Sequence, residues 1–144
     1  MLIRGHCHCG NIAFVLDWQP DPEFIPARAC GCTFCTCHGA VWTACPTASL
    51  DIVVRDPLRV ARYAFGTRTA EFHVCALCGI VPLATSRIDG RVYAVVNVNT
   101  FDGVDDARLR RSGVSFDGED EATRLQRRAR HWIGHVRFEE SSRA

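Results

Sequence analysis

Eight of the nine cysteines fall into three tight clusters, Cys7-x-Cys9, Cys30-x-Cys32-x-x-Cys35-x-Cys37 and Cys75-x-x-Cys78-Gly79, and only Cys45 stands alone. No other feature constrains the chain as strongly, because thiols this close in sequence have to be gathered by a strand or turn that aims them at one point. The segment Met1–His6 lacks the apolar run of a signal peptide, and no stretch approaches the ~18 apolar residues that span a membrane, so a cytoplasmic location is expected. In that reducing setting clustered cysteines bind metal or do chemistry more readily than they form disulfides. The odd count and the cramped Cys-x-Cys ring point the same way. The middle cluster fits neither ferredoxin spacing, which favours zinc over an iron–sulfur cluster.

The outer clusters read as two half-sites. In an extended segment residues i and i+2 share a side, so Cys7 and Cys9 can offer two sulfurs to one ion. Cys75-Ala76-Leu77-Cys78-Gly79 has knuckle spacing, with a glycine where the turn calls for positive φ. Joined, they supply four thiolates to one closed, structural zinc that ties the N-terminal hairpin to a strand about seventy residues later.

The middle cluster is different. Cys30, Cys32 and Cys35 lie within six residues and can reach one ion from a single loop, leaving its fourth position open. Three thiolates bring Zn²⁺ to a net charge of −1, so such an ion activates water poorly but holds a substrate thiolate well. Cys37 or His38 could instead close the site as a fourth ligand and make it purely structural.

With 144 residues, 47% hydrophobic and 23% charged, the chain has the balance of one globular domain, assigned here to residues 1–138, with 139–144 as a disordered tail. A net charge of +1 provides no global field for a phosphate backbone or an anionic membrane, so a charge-driven nucleic-acid or membrane partner is not expected. All seventeen basic residues are arginine, which excludes Schiff-base and P-loop lysine chemistry.

Short strand-like stretches predict an all-β fold. Ile12, Phe14 and Leu16 share a face after a turn at Cys9-Gly10-Asn11, Asp17 to Pro26 reads as loop, and strands are expected near 40–44, 50–54, 58–65, 69–74, 80–86 and 91–98. Helix is expected after Asp102-Gly103 and across Asp120–Arg130, where Ala122, Leu125, Ala129 and Trp132 would share one face.

The combined pattern Gly5-His6-Cys7-His8-Cys9-Gly10-Asn11-Ile12-Ala13-Phe14, Cys30-Gly31-Cys32-Thr33-Phe34-Cys35 and Phe72-His73-Val74-Cys75-Ala76-Leu77-Cys78-Gly79 resembles the glutathione-dependent formaldehyde-activating enzyme family, which also includes centromere protein V. The likeness runs from about Arg4 to Phe101, through Val96-Asn97-Val98-Asn99-Thr100-Phe101-Asp102, and only loosely over Arg130–Phe138. It implies a small zinc-binding β-tent type fold of stacked antiparallel sheets with one or two short helices. It implies two Zn²⁺ per chain, a structural one on Cys7, Cys9, Cys75 and Cys78 and a catalytic one on Cys30, Cys32 and Cys35. The reaction it implies is that of a carbon–sulfur lyase, the reversible addition of glutathione to formaldehyde giving S-hydroxymethylglutathione. Where the family commonly carries Arg or Lys after the third cysteine of the middle cluster, this chain has Thr36-Cys37-His38, so the bound anion is expected to differ.

On this reading the substrate thiol becomes the fourth ligand and attacks the aldehyde carbon, with His38 as the candidate proton donor and His73 as a weaker one. Arg28, Arg68 and Arg87 are candidates to contact a substrate carboxylate, and Trp42 and Phe34 either wall the pocket or pack in the core. The alternative is a zinc-stabilised binding module with both ions structural, whose basic stripe would be Arg124, Arg127, Arg128 and His131. Cys37 and Cys45 remain for redox or metal sensing, with Cys45 read as a small apolar residue.

Overall fold

The computed structural model describes residues 1–140. Its strands are β1 (Leu2–His6), β2 (Ile12–Asp17), β3 (Ile25–Cys30), β4 (Val41–Thr43), β5 (Ser49–Val54), β6 (Val60–Tyr63), β7 (Glu71–Cys75), β8 (Leu83–Ile88), β9 (Arg91–Asn97), β10 (Phe101–Asp102), β11 (Leu109–Val114) and β12 (His135–Glu140). Two helices, α1 (Thr33–His38) and α2 (Glu121–His131), interrupt them. The strands form two sheets, one ordered β10-β1-β2-β5-β12 and the other β11-β3-β4-β9-β8-β7-β6. The molecule is therefore mostly β, as expected.

Alternation builds the core. Ile12, Phe14 and Leu16 of β2 point inward with Leu50 and Ile52 of β5 and meet Ile25, Leu83, Ala94 and Val96 from the second sheet. All named pairings are antiparallel except at two edges, where β11 runs parallel to β3 and β12 parallel to β5.

Several local expectations are corrected. Asp17–Pro26 is not loop to its end, because β3 begins at Ile25. Pro26 is tolerated there because β4 pairs only with Arg28 and Ala29, which leaves the first half of β3 without a neighbour on that side. The stretch 58–65 starts as a 3₁₀ turn at Pro57–Arg59, capped by Asp56, and becomes a strand at Val60. The helix expected after Gly103 is one 3₁₀ turn at Asp106–Arg108 followed by β11. Glu139 and Glu140 belong to β12 rather than to a disordered tail, and the rest of that tail lies outside the described residues.

The residues just after α2 fix its position. Ile133 exchanges two backbone hydrogen bonds with Ala94 of β9, at 2.9 and 3.0 Å, before the chain enters the other sheet as β12. Arg91 Nε donates to Gly134 O at 2.8 Å across the same junction. The helix is thereby held beside the second sheet.

Candidate active site

Two turns of the same build gather the first four thiols. β1 ends at His6, and Cys7–Asn11 is a tight turn, not the extended segment expected of Cys7-x-Cys9. Gly10, at φ +85°, donates to Cys7 O, while Cys7 N donates to Ile12 O at 2.9 Å. The second turn repeats the pattern with Gly79 at φ +80°, its N–H on Cys75 O and Cys75 N on Ile80 O at 2.9 Å. Positive φ favours glycine at both positions.

Cys7, Cys9, Cys75 and Cys78 place their sulfurs within 4.8 Å of one another, with Cys7–Cys9 at 3.8 Å and Cys9–Cys75 at 3.5 Å. A tetrahedral thiolate site with metal–sulfur bonds of about 2.3 Å separates its sulfurs by ~3.8 Å, so this donor set fits one ion. Cys7 and Cys75 are wholly buried, and Ile12 N–H donates to Cys7 Sγ at 3.3 Å. Burial, opposed by that backbone donor, pushes the Cys7 thiol up to about 12.

Cys30, Cys32 and Cys35 also lie within 4.8 Å of one another. They do not share a single loop: Cys30 closes β3, Cys32 is the N-cap of α1, and Cys35 lies inside that helix. Cys35 N–H donates to Cys32 Sγ at 3.4 Å, and Trp42 Nε1 donates to Cys35 Sγ at 3.3 Å. Among the described residues no fourth His, Cys, Asp or Glu joins the three. The hydrogen bond from Cys35 draws the Cys30 thiol down to about 5, with Arg127 contributing its charge, while the same bond and burial push Cys35 up.

The C-terminus of α1 is pinned from a distance. Asn99 Nδ2 donates to Gly39 O at 2.8 Å, and buried Asn97 accepts from Val41 N and donates to Val81 O. The Asn-rich turn after β9 thereby holds the cysteine-bearing helix against β4.

The three thiols open onto a cavity of about 630 Å³. Arg28 and Cys30, two apart on β3, share a strand face, and both line it with Trp42, Phe65 and Phe72. Its opposing charges come from α2, through Arg124, Arg127 and Arg128. Arg127 grips Glu119 at 3.0 and 3.1 Å and lies over the Phe116 ring. The three arginines of the stripe assigned to the binding-module alternative are thus turned inward while its His131 stays exposed at the cavity rim, and Ala122 and Ala129 of the expected apolar face are exposed. The spacing 124, 127, 128 and 131 is the i, i+3, i+4, i+7 pattern of one helix face, and of its residues Arg128 is buried, Arg124 and Arg127 are half-buried and His131 is exposed. That periodicity was the available signal.

Other candidates sit elsewhere. His38 is exposed at the end of α1, its ring 4.6 Å from that of Phe34, and does not line the cavity, while His131 does. His73 is a core histidine on Thr85 Oγ1 at 2.8 Å, and burial drives its ring down to about 4. Arg68 and Arg87 are exposed and do not line the cavity. Phe34 packs on Phe72 at 4.6 Å. Cys37 is exposed and Cys45 half-buried beside Thr47, and neither joins a cluster.

The architecture and its two thiol centres define a two-sheet β protein able to hold metal at a closed four-sulfur site and at a three-sulfur site beside a cavity. The chain belongs to the glutathione-dependent formaldehyde-activating enzyme family, whose model matches residues 2–113. It is also similar to a Rhodobacter sphaeroides protein of known crystal structure, at 28% identity and a TM-score of 0.53, over 76% of this chain and 99% of that one. None of the curated proteins is significantly similar to it.

Proposed function

We propose that the protein is a zinc-dependent carbon–sulfur lyase that adds a glutathione-like thiol reversibly to formaldehyde or a related small aldehyde. The observation that carries this reading is the three-sulfur cluster, which lacks a fourth protein ligand among the described residues and faces a cavity of about 630 Å³. The soft thiolate sets suit two zinc ions per chain, structural on Cys7, Cys9, Cys75 and Cys78 and catalytic on Cys30, Cys32 and Cys35. When bound at the second set, zinc supplies a position that holds the substrate thiol as its thiolate.

The chain's own residues do the remaining work. Trp42 and the Cys35 backbone N–H fix the ligand sulfurs, and Phe65, Phe72 and Trp42 keep water from the reacting pair. The substrate sulfur bonds to the carbonyl carbon, the C=O π pair moves to oxygen, and the proton lost by the thiol is returned to that oxygen. His131, which lines the cavity, is the proton carrier in this scheme, in preference to His38. Among the described residues no helix is long and apolar enough to cross a membrane.

Elemental analysis of purified protein should give two zinc ions per chain, falling to one in Cys35→Ser. Exchange NMR between glutathione, formaldehyde and their adduct should show catalysis lowered at least about 100-fold in that variant. Full exchange by Cys35→Ser with its second zinc gone would rule out the mechanism. Two firmly held ions without any exchange would favour the binding-module alternative.

A further inference from the structure

Two buried side-chain polar atoms among the described residues, Thr43 Oγ1 and Arg128 Nε, have neither a hydrogen-bond nor an ion-pair partner. Both residues line the cavity beside Cys30, Cys32 and Cys35. A buried polar atom left unpaired costs on the order of 1–3 kcal/mol, so native chains rarely leave them, and their concentration here marks a wall that a ligand completes.

Arg128 is the decisive member. It is only 7% exposed, yet its Nη1 donates to two neutral hydroxyls, Thr69 Oγ1 at 2.8 Å and Ser86 Oγ at 3.2 Å, and its guanidinium stands 5.0 Å from the Trp132 ring centre. None of these partners is negative, and a buried guanidinium requires a counter-charge. Glu119 acts on it through space, but that carboxylate already accepts from Arg127 and lies 3.3 Å from Arg124 Nε. Asp117, the one carboxylate on the cavity wall, is exposed and makes no ion pair among the described residues. Burial, then the charges of Arg127 and Arg124, push Arg128 down to about 10, as befits a cation short of negative charge. The side chain of Arg28, on the Cys30 face of β3, likewise makes no hydrogen bond or ion pair among the described residues.

We propose that Arg128 binds a carboxylate carried by the thiol substrate, so that the cavity selects an anionic thiol with its sulfur at the cysteine cluster and its carboxylate against α2. The sulfur end rests on the thiol–aldehyde reading above. The anion end rests on α2, which lies beyond the matched residues 2–113.

The test is calorimetric titration of zinc-loaded protein with glutathione, its diethyl ester and S-methylglutathione, in which the thiol is blocked but the carboxylates remain. Wild-type protein should bind glutathione at least about tenfold more tightly than the ester, the effect of one charge-assisted hydrogen bond, and should also bind S-methylglutathione. Arg128→Gln should bring glutathione to the affinity of the ester and weaken S-methylglutathione at least about tenfold, at unchanged zinc content. Arg128→Lys should restore part of the discrimination. Equal affinity of wild-type protein for glutathione and its ester overturns the proposal, and this comparison needs no variant to fold. Equal weakening of acid and ester by Arg128→Gln overturns it too. Discrimination in binding without catalysed exchange would support the Arg128 subsite while removing the thiol–aldehyde reading.

Discussion

A methyl group at position 5 would be enough to disturb the first hairpin. Gly5 pairs with Phe14 across β1 and β2, and a Cβ built on it would meet Phe14 Cε1 and Cε2 at 2.7 and 2.8 Å. Phe14 is held in turn by Phe101, their ring centres 6.2 Å apart, so it has little room to yield. Gly5→Ala should therefore lower stability by about 1–3 kcal/mol in urea titration, with zinc content unchanged. Single residues also decide the two thiol turns, because Gly10 and Gly79 were readable as glycines placed just after cysteines. Arg128 was not readable in this way. An arginine in a charged helix looks solvated until the packing of its neighbours is known.

At the scale of elements, α2 depends on the acidic residues at its start. Asp120 caps it, accepting from Thr123 N at 2.7 Å, and Glu119 tethers it through Arg127 and Arg124. The hydrogen bond from Arg127, with the charge of Arg124 added, holds Glu119 below the usual carboxylate value of 4.5. A depressed folded value means that the unfolded chain takes up the proton first. The tether's stabilisation is therefore complete above the ordinary value and is lost as pH falls through the lower, folded one. Thermal unfolding from pH 7 to pH 3 should show wild-type protein more stable than Glu119→Gln near neutrality, with the difference closing below about pH 4. A constant difference across the range would mean that Glu119 acts by packing alone. Elements were legible where alternation was clean, as in β2 and β5, whose inward residues follow every second position. β11 was not, because Arg110, Arg111, Ser112 and Gly113 in a row carry no alternating apolar signal, and in β12 only Val136 and Phe138 alternate before two glutamates.

Over the whole molecule, the four-sulfur centre joins the turn between β1 and β2 in one sheet to the turn after β7 in the other. A metal there would cross-link the two layers, whereas the three-sulfur set lies within the second sheet and the helix after β3. Cys78→Ser should lower Tm by more than about 10 °C, and Cys35→Ser by only a few degrees, measured by calorimetry on metal-loaded protein. A reversed order would place the stabilising ion at the other cluster. The cysteine partition could be read from the chain because metal-ligand spacing is local, two or three residues bent by one turn. Inward arginines, a cavity and parallel edge strands could not, since each depends on residues far apart in sequence. Arg128 meets Ser86 only because Ile133 is bonded to Ala94 and draws α2 onto the second sheet. Local stereochemistry grouped the cysteines, and long-range packing chose what faces them.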